Sequence, residues 1–184
     1  MIEIKHRYTG AVLLTLDSAN LAGANLADAY LAGADLARAN LARADLADAY
    51  LAGADLARAN LAGANLADAY LAGANLADAY LAGANLARAN LARADLAGAN
   101  LARANLARAD LADAYLADAY LTGANLTGAN LTGADLAGAY LIDGGQERRG
   151  YRFWAWRRID GAVIHSRQPP RMDRRRGSAR ILRR

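Results

Sequence analysis

The chain has no cysteine, and its 184 residues include only two prolines, two histidines, two tryptophans and one phenylalanine. Without cysteine there can be no disulfide and no thiolate metal site, and nothing suggests an oxidising compartment. The histidines, His6 and His165, stand near opposite ends, and serine occurs only as Ser18, Ser166 and Ser178. No nucleophile–base pair, Gly-rich phosphate loop or metal-ligand spacing arises from such a set. No catalytic residue, cofactor or metal is therefore expected, and the chain does not read as an enzyme. The stretch Met1-Ile2-Glu3-Ile4-Lys5-His6-Arg7 lacks the apolar run of a signal peptide, and no segment is long enough to span a membrane. A cytoplasmic protein with no membrane partner is the expectation.

What the sequence does have is leucine at every fifth position from Leu16 to Leu141, without insertion or skip. From Leu21 onward each leucine has alanine two positions before it, with only Asn, Asp or Tyr between, as in Ala24-Asn25-Leu26 and Ala29-Tyr30-Leu31. A period of five gives no apolar stripe on an α-helix. On a flat strand it would send successive leucines to opposite faces. A short extended piece followed by a corner, repeated every five residues, keeps every leucine and its alanine inside. If each corner turns the chain by a quarter, four units close a 20-residue coil, and coils stack at the inter-strand spacing of roughly 4.8 Å. The expected fold is all-β, a β-solenoid of about six coils. The high helix propensity of Ala, Leu and Arg opposes it, but a leucine spiral on a helix has nowhere to bury.

The unit resembles that of the pentapeptide-repeat family, in which a small residue, Asn or Asp, Leu or Phe, and a small or polar residue are often followed by Gly. The likeness runs over roughly Asp17 to Leu141. It implies a right-handed quadrilateral β-helix with leucine central in each unit. This chain departs from the usual pattern in placing tyrosine at 30, 50, 70, 80, 115, 120 and 140, and Arg or Asp often where glycine is common.

The net charge of +4 conceals a division. Residues 17–143 hold 14 Asp against 7 Arg, and residues 144–184 hold 13 Arg against three acids. The expected organisation is an N-terminal β-hairpin cap over 1–16, repeats over 17–143, an aromatic cap over 144–166 and an Arg-rich tail over 167–184. The hairpin is expected because Ile2 to Arg7 alternates, Tyr8-Thr9-Gly10 turns and Ala11 to Leu14 returns. The second cap is expected because Phe153, Trp154 and Trp156 gather there. Low apolar content points to disorder in the tail.

With 20 residues per coil, positions 20 apart stack. Tyr30, Tyr50 and Tyr70 then form one ladder, with Asp28, Asp48 and Asp68 beside it, and Asn25, Asn65, Asn85, Asn105 and Asn125 form another, interrupted only by Asp45. Such ladders stabilise β-stacks, while a row of exposed tyrosines also resembles interface hot spots. Those six Tyr and Asp residues are the candidate interaction surface. Three stacked carboxylates should repel, but a flat column has too few oxygens for calcium.

The leading functional expectation is a non-catalytic structural or protein-interaction scaffold, with a dimer through a cap as a further option. The resemblance offers a second: a DNA-mimicking modulator of a type II topoisomerase such as gyrase. Against it, the charge falls in bands, −5 over 17–80, +2 over 81–110 and −4 over 111–143, whereas a mimic needs a continuous negative field. The third is nucleic-acid binding through the tail alone, with Arg171, Arg174, Arg175 and Arg176 contacting phosphates.

Overall fold

Leucine, two further residues and alanine form a tight turn in almost every repeat: the Ala24 N–H donates to the Leu21 carbonyl (3.1 Å), and the same bond recurs as far as Ala139 to Leu136 (3.0 Å). The third residue of each turn has positive φ, a conformation easy for glycine and costing other L-residues roughly 1–2 kcal/mol. Here thirteen of these residues are Asp or Arg, among them Arg43 at φ 58 and Asp48 at φ 56. These features come from a computed structural model that describes residues 1–141.

Among the described residues the regular strands are two, β1 (Ile2–Lys5) and β2 (Val12–Leu16). They pair antiparallel, with Ile2 opposite Leu16 and Ile4 opposite Leu14, and the register shifts between Ile4 and Lys5. This corrects the expected all-β, right-handed quadrilateral β-helix, or β-solenoid. The sheet is two-stranded and open, and the repeats contribute isolated bridges in place of strands. The period itself is the reason. A turn takes four of every five residues, and the one left over is too short to make a strand.

That fifth residue, always Asn, Asp or Tyr, pairs in parallel with the residue twenty positions away, as Asn25 does with Asp45 and Tyr30 with Tyr50. Backbone bonds tie each level to the next. The Leu26 N–H donates to the Asp45 carbonyl (2.7 Å), the Asp45 N–H to the Ala24 carbonyl (2.9 Å) and the Asp28 N–H to the Ala47 carbonyl (2.9 Å). Leucines and the alanines before them form one buried cluster, which Leu31, Leu51 and Leu71 enter fully. No polar or charged side chain is buried among the described residues.

The N-terminal strands meet this stack at one place. The Asp35 N–H donates to the Lys5 carbonyl (2.7 Å) and the Arg7 N–H to the Gly33 carbonyl (2.8 Å), so β1 leads into the ladder. Ile4 is buried in the same core. Arg7 reaches past the first level to the Gly53 carbonyl (3.4 Å) and Asp55 (3.8 Å). His6 lies over Gly33, where a Cβ would stand 2.5 Å from Nε2, so a larger residue there would have to displace the imidazole. The aromatic cap over 144–166 and the tail over 167–184 lie outside the described residues.

Candidate functional site

The repeat leaves one backbone donor per unit without a backbone acceptor, the N–H directly after leucine. Where the bridging residue is Asn or Asp, its own side chain supplies that acceptor: Asn25 Oδ1 takes the Ala27 N–H (3.1 Å) and Asp55 Oδ1 the Ala57 N–H (3.1 Å). Short side chains that bond their own backbone two residues on are favoured in turns for this reason. The amides also link levels. Asn85 Nδ2 donates to Asn65 Oδ1 (3.1 Å), Asn105 to Asn85 (3.1 Å) and Asn125 to Asn105 (3.2 Å). Sequence reasoning found the column but missed the turn bond, although the restriction to Asn and Asp was its signal.

Tyrosine cannot make that bond, so each tyrosine at a bridging position forfeits it. In exchange the rings stack. Tyr30 and Tyr50 lie 5.0 Å apart at 7°, Tyr50 and Tyr70 4.9 Å apart at 3°, and Tyr120 and Tyr140 4.7 Å apart at 6°. Because the inner ring faces cover one another, the Tyr30 column presents ring edges to solvent. It remains open, with 76%, 41% and 46% of Tyr30, Tyr50 and Tyr70 exposed.

Asp28, Asp48 and Asp68 occupy turn corners two residues before these tyrosines, all at positive φ. The column does not end in uncompensated repulsion. Arg88, twenty residues beyond Asp68, donates Nε to Asp68 Oδ1 (2.8 Å) and an Nη to Oδ2 (2.6 Å), a bidentate pair. Its guanidinium pKa is raised by the hydrogen bond to Asp68, then by the charges of Asp68 and Asp48. Arg58 and Asp78, again twenty apart, approach at 3.6 Å. Both pairs follow from the twenty-residue register, and summing charge by bands along the chain hid them. Asp28 and Asp48 have no ion-pair partner among the described residues.

The surface offers shallow grooves in place of a pocket. One runs beside Arg38 and Arg58 over Ala37, Ala57 and Ala77, with Asp35 and Asp78 also on its walls. Among the described residues no group of three or more His, Cys, Asp or Glu could share a metal ion, and no helix is long and apolar enough to cross a membrane. Arg171, Arg174, Arg175 and Arg176 lie outside the described residues.

A family model described as pentapeptide repeats, in eight copies, matches residues 16–51, 44–81, 74–111 and 109–143. The chain belongs to the pentapeptide-repeat family. Among solved structures, this pentapeptide-repeat protein is similar to HetL, which is involved in heterocyst differentiation regulation in the cyanobacterium Nostoc sp. strain PCC 7120. The identity is 37%, over 64% of this chain and 68% of HetL, at a TM-score of 0.34. It is also similar to Rfr23 from the cyanobacterium Cyanothece 51142, at 30% identity over 66% of this chain and 64% of Rfr23, with a TM-score of 0.26. Full-length QnrB1, a plasmid-mediated fluoroquinolone resistance protein, matches at 21% identity over 66% of this chain and 67% of its own, with a TM-score of 0.35. No curated protein matches the chain.

Proposed function

We propose that this protein is an interaction scaffold whose docking face is the Tyr30–Tyr50–Tyr70 column with the unpaired carboxylates of Asp28 and Asp48. One observation supports the reading. Three consecutive levels place tyrosine where Asn or Asp would close the turn, so a local hydrogen bond is surrendered and large apolar rings stay exposed. Exposed tyrosine is the residue type that anchors protein interfaces at low entropic cost. The test is affinity capture from the source cells with the native chain and with a triple variant in which Tyr30, Tyr50 and Tyr70 become Asn. A partner held by the native chain and lost by the variant supports the face, and equal capture by both removes it.

The gyrase-modulator alternative has weaker support. Arg88, Arg93, Arg103 and Arg108 stand at turn corners midway along the repeats and interrupt the acidic surface that a nucleic-acid mimic requires.

A further inference from the structure

Carboxylates on the repeats fall into two groups. Those at bridging positions accept their own turn N–H, as Asp55 and Asp135 do. Those at corners depend on neighbouring levels, and Asp68 and Asp78 find partners there in Arg88 and Arg58. Asp28 and Asp48 have neither kind of partner among the described residues, and they occupy the two levels of the column before Asp68. Arg88 shows what this column accepts: a guanidinium held through both carboxylate oxygens.

The tyrosines beside them add to the same preference. A guanidinium is attracted to an aromatic face, and Arg7, 4.8 Å from the Tyr8 ring centroid, already makes such a contact. Tyr30 closes one end of its stack. Tyr50 covers one of its faces, and among the described residues no ring covers the other. It is also the most exposed of the three. Two free carboxylates beside an open aromatic face select a ligand with several guanidinium groups.

The chain carries such a ligand itself. Residues 167–184 hold eight arginines against one acid, Asp173, and three run together as Arg174-Arg175-Arg176. Their reach is ample. Arg174 follows Leu141 by 33 residues, a span of up to roughly 110 Å when extended. Leu41 stands only five levels before Leu141, roughly 25 Å along the stack. Tethering to the same chain raises the effective concentration, so ion pairs that are individually weak can hold together.

From this we infer that the Arg-rich stretch 167–184 docks on the tyrosine column of its own chain, its arginines pairing with Asp28 and Asp48 while one guanidinium lies on Tyr30. The contact rests on the docking face proposed above and gives it a resident occupant, which any partner must displace. Asp118, beside the Tyr120–Tyr140 pair, is nearer in sequence to the stretch. Its column holds glycine at 98 and 138, so it offers a single carboxylate and serves as the control.

Because the chain has no cysteine, spin labels can be attached at chosen sites. Labels on A32C and S178C of the full chain, diluted with unlabelled chain, report the contact by double electron–electron resonance. Ala32 is exposed and lies two residues after Tyr30. At about 10 mM salt a short-distance population should be present, and at about 1 M it should vanish, as the Debye length shrinks from roughly 30 Å to 3 Å. D28N/D48N should reduce that population by about fivefold, and D118N should leave it unchanged. Charge exchange gives the decisive arm. D28R/D48R should abolish the population, and combining it with R174D/R175D/R176D should restore it. Other corners already hold Arg at positive φ, so the swap suits the backbone, and circular dichroism checks that each chain folds.

A native chain without the short-distance population at low salt overturns the inference. So does a population that survives D28N/D48N, falls with D118N, is lost on dilution with unlabelled chain, or fails to return on charge exchange. None of these outcomes touches the docking-face reading, which stands or falls separately on capture by the tyrosine variant.

Discussion

The Asn65–Asn125 column and the Tyr30–Tyr70 column occupy the same backbone position and solve it in opposite ways. Each asparagine closes its own turn and passes an amide hydrogen bond to the next level. Each tyrosine leaves the turn donor to water and holds its neighbour through ring stacking. The first arrangement satisfies polar groups locally and offers little for a partner to grip. The second gives up part of that satisfaction and projects apolar area into solvent. Where a repeat leaves its own best local solution, the departure marks the surface with a use beyond holding the stack together.

Substitutions distinguish the two columns. The largest effect is expected at the leucine common to both columns. Leu71, fully buried beside Tyr70, should cost roughly 2–5 kcal/mol as Leu71→Ala, and a loss under about 1 kcal/mol in urea melts would remove it from the core. Asn85→Ala deletes the turn acceptor and two inter-level amide bonds, and should cost about 1–3 kcal/mol by the same measurement. Tyr50→Asn should cost only about 1 kcal/mol, because the restored turn bond offsets most of two lost ring stacks. If Tyr50→Asn proves as damaging as Asn85→Ala, the tyrosines are structural and the contrast fails. Arg103→Gly relieves a positive-φ corner and should stabilise by roughly 0.5–1 kcal/mol, seen as a higher melting temperature. Least affected is Arg88→Gln: its side chain is 61% exposed and that of its partner Asp68 33%, so thermal melts should change at low salt and coincide with the native chain at high salt.

Much of the interior was legible in the sequence. The leucine period and the alanine two before it name the buried residues, and the family follows from the same unit. Which tyrosines stack also followed, because Tyr30, Tyr50 and Tyr70 differ by twenty. The absence of strands from the repeats was not legible. It depends on a positive φ at the third turn position, and neither Arg43 nor Arg58 advertises that conformation by residue type. The bond from Asn25 to the Ala27 N–H was hidden for a related reason: the donor becomes orphaned only once the turn is known. The Arg88–Asp68 pair was hidden by counting charge along the chain when the relevant neighbours lie twenty residues apart.

The thirteen corners that hold Asp or Arg at φ between 55 and 61 have one more consequence. A backbone geometry that admits an acid, a base or glycine at the same site places almost no demand on the sign of the charge there. Nor does the interior, since no corner side chain enters the core. Mutation can therefore redraw the electrostatic pattern of this protein one codon at a time while every leucine stays in place. Binding preference and foldability are then inherited as nearly independent traits, and a lineage can change partners without passing through an unfolded intermediate.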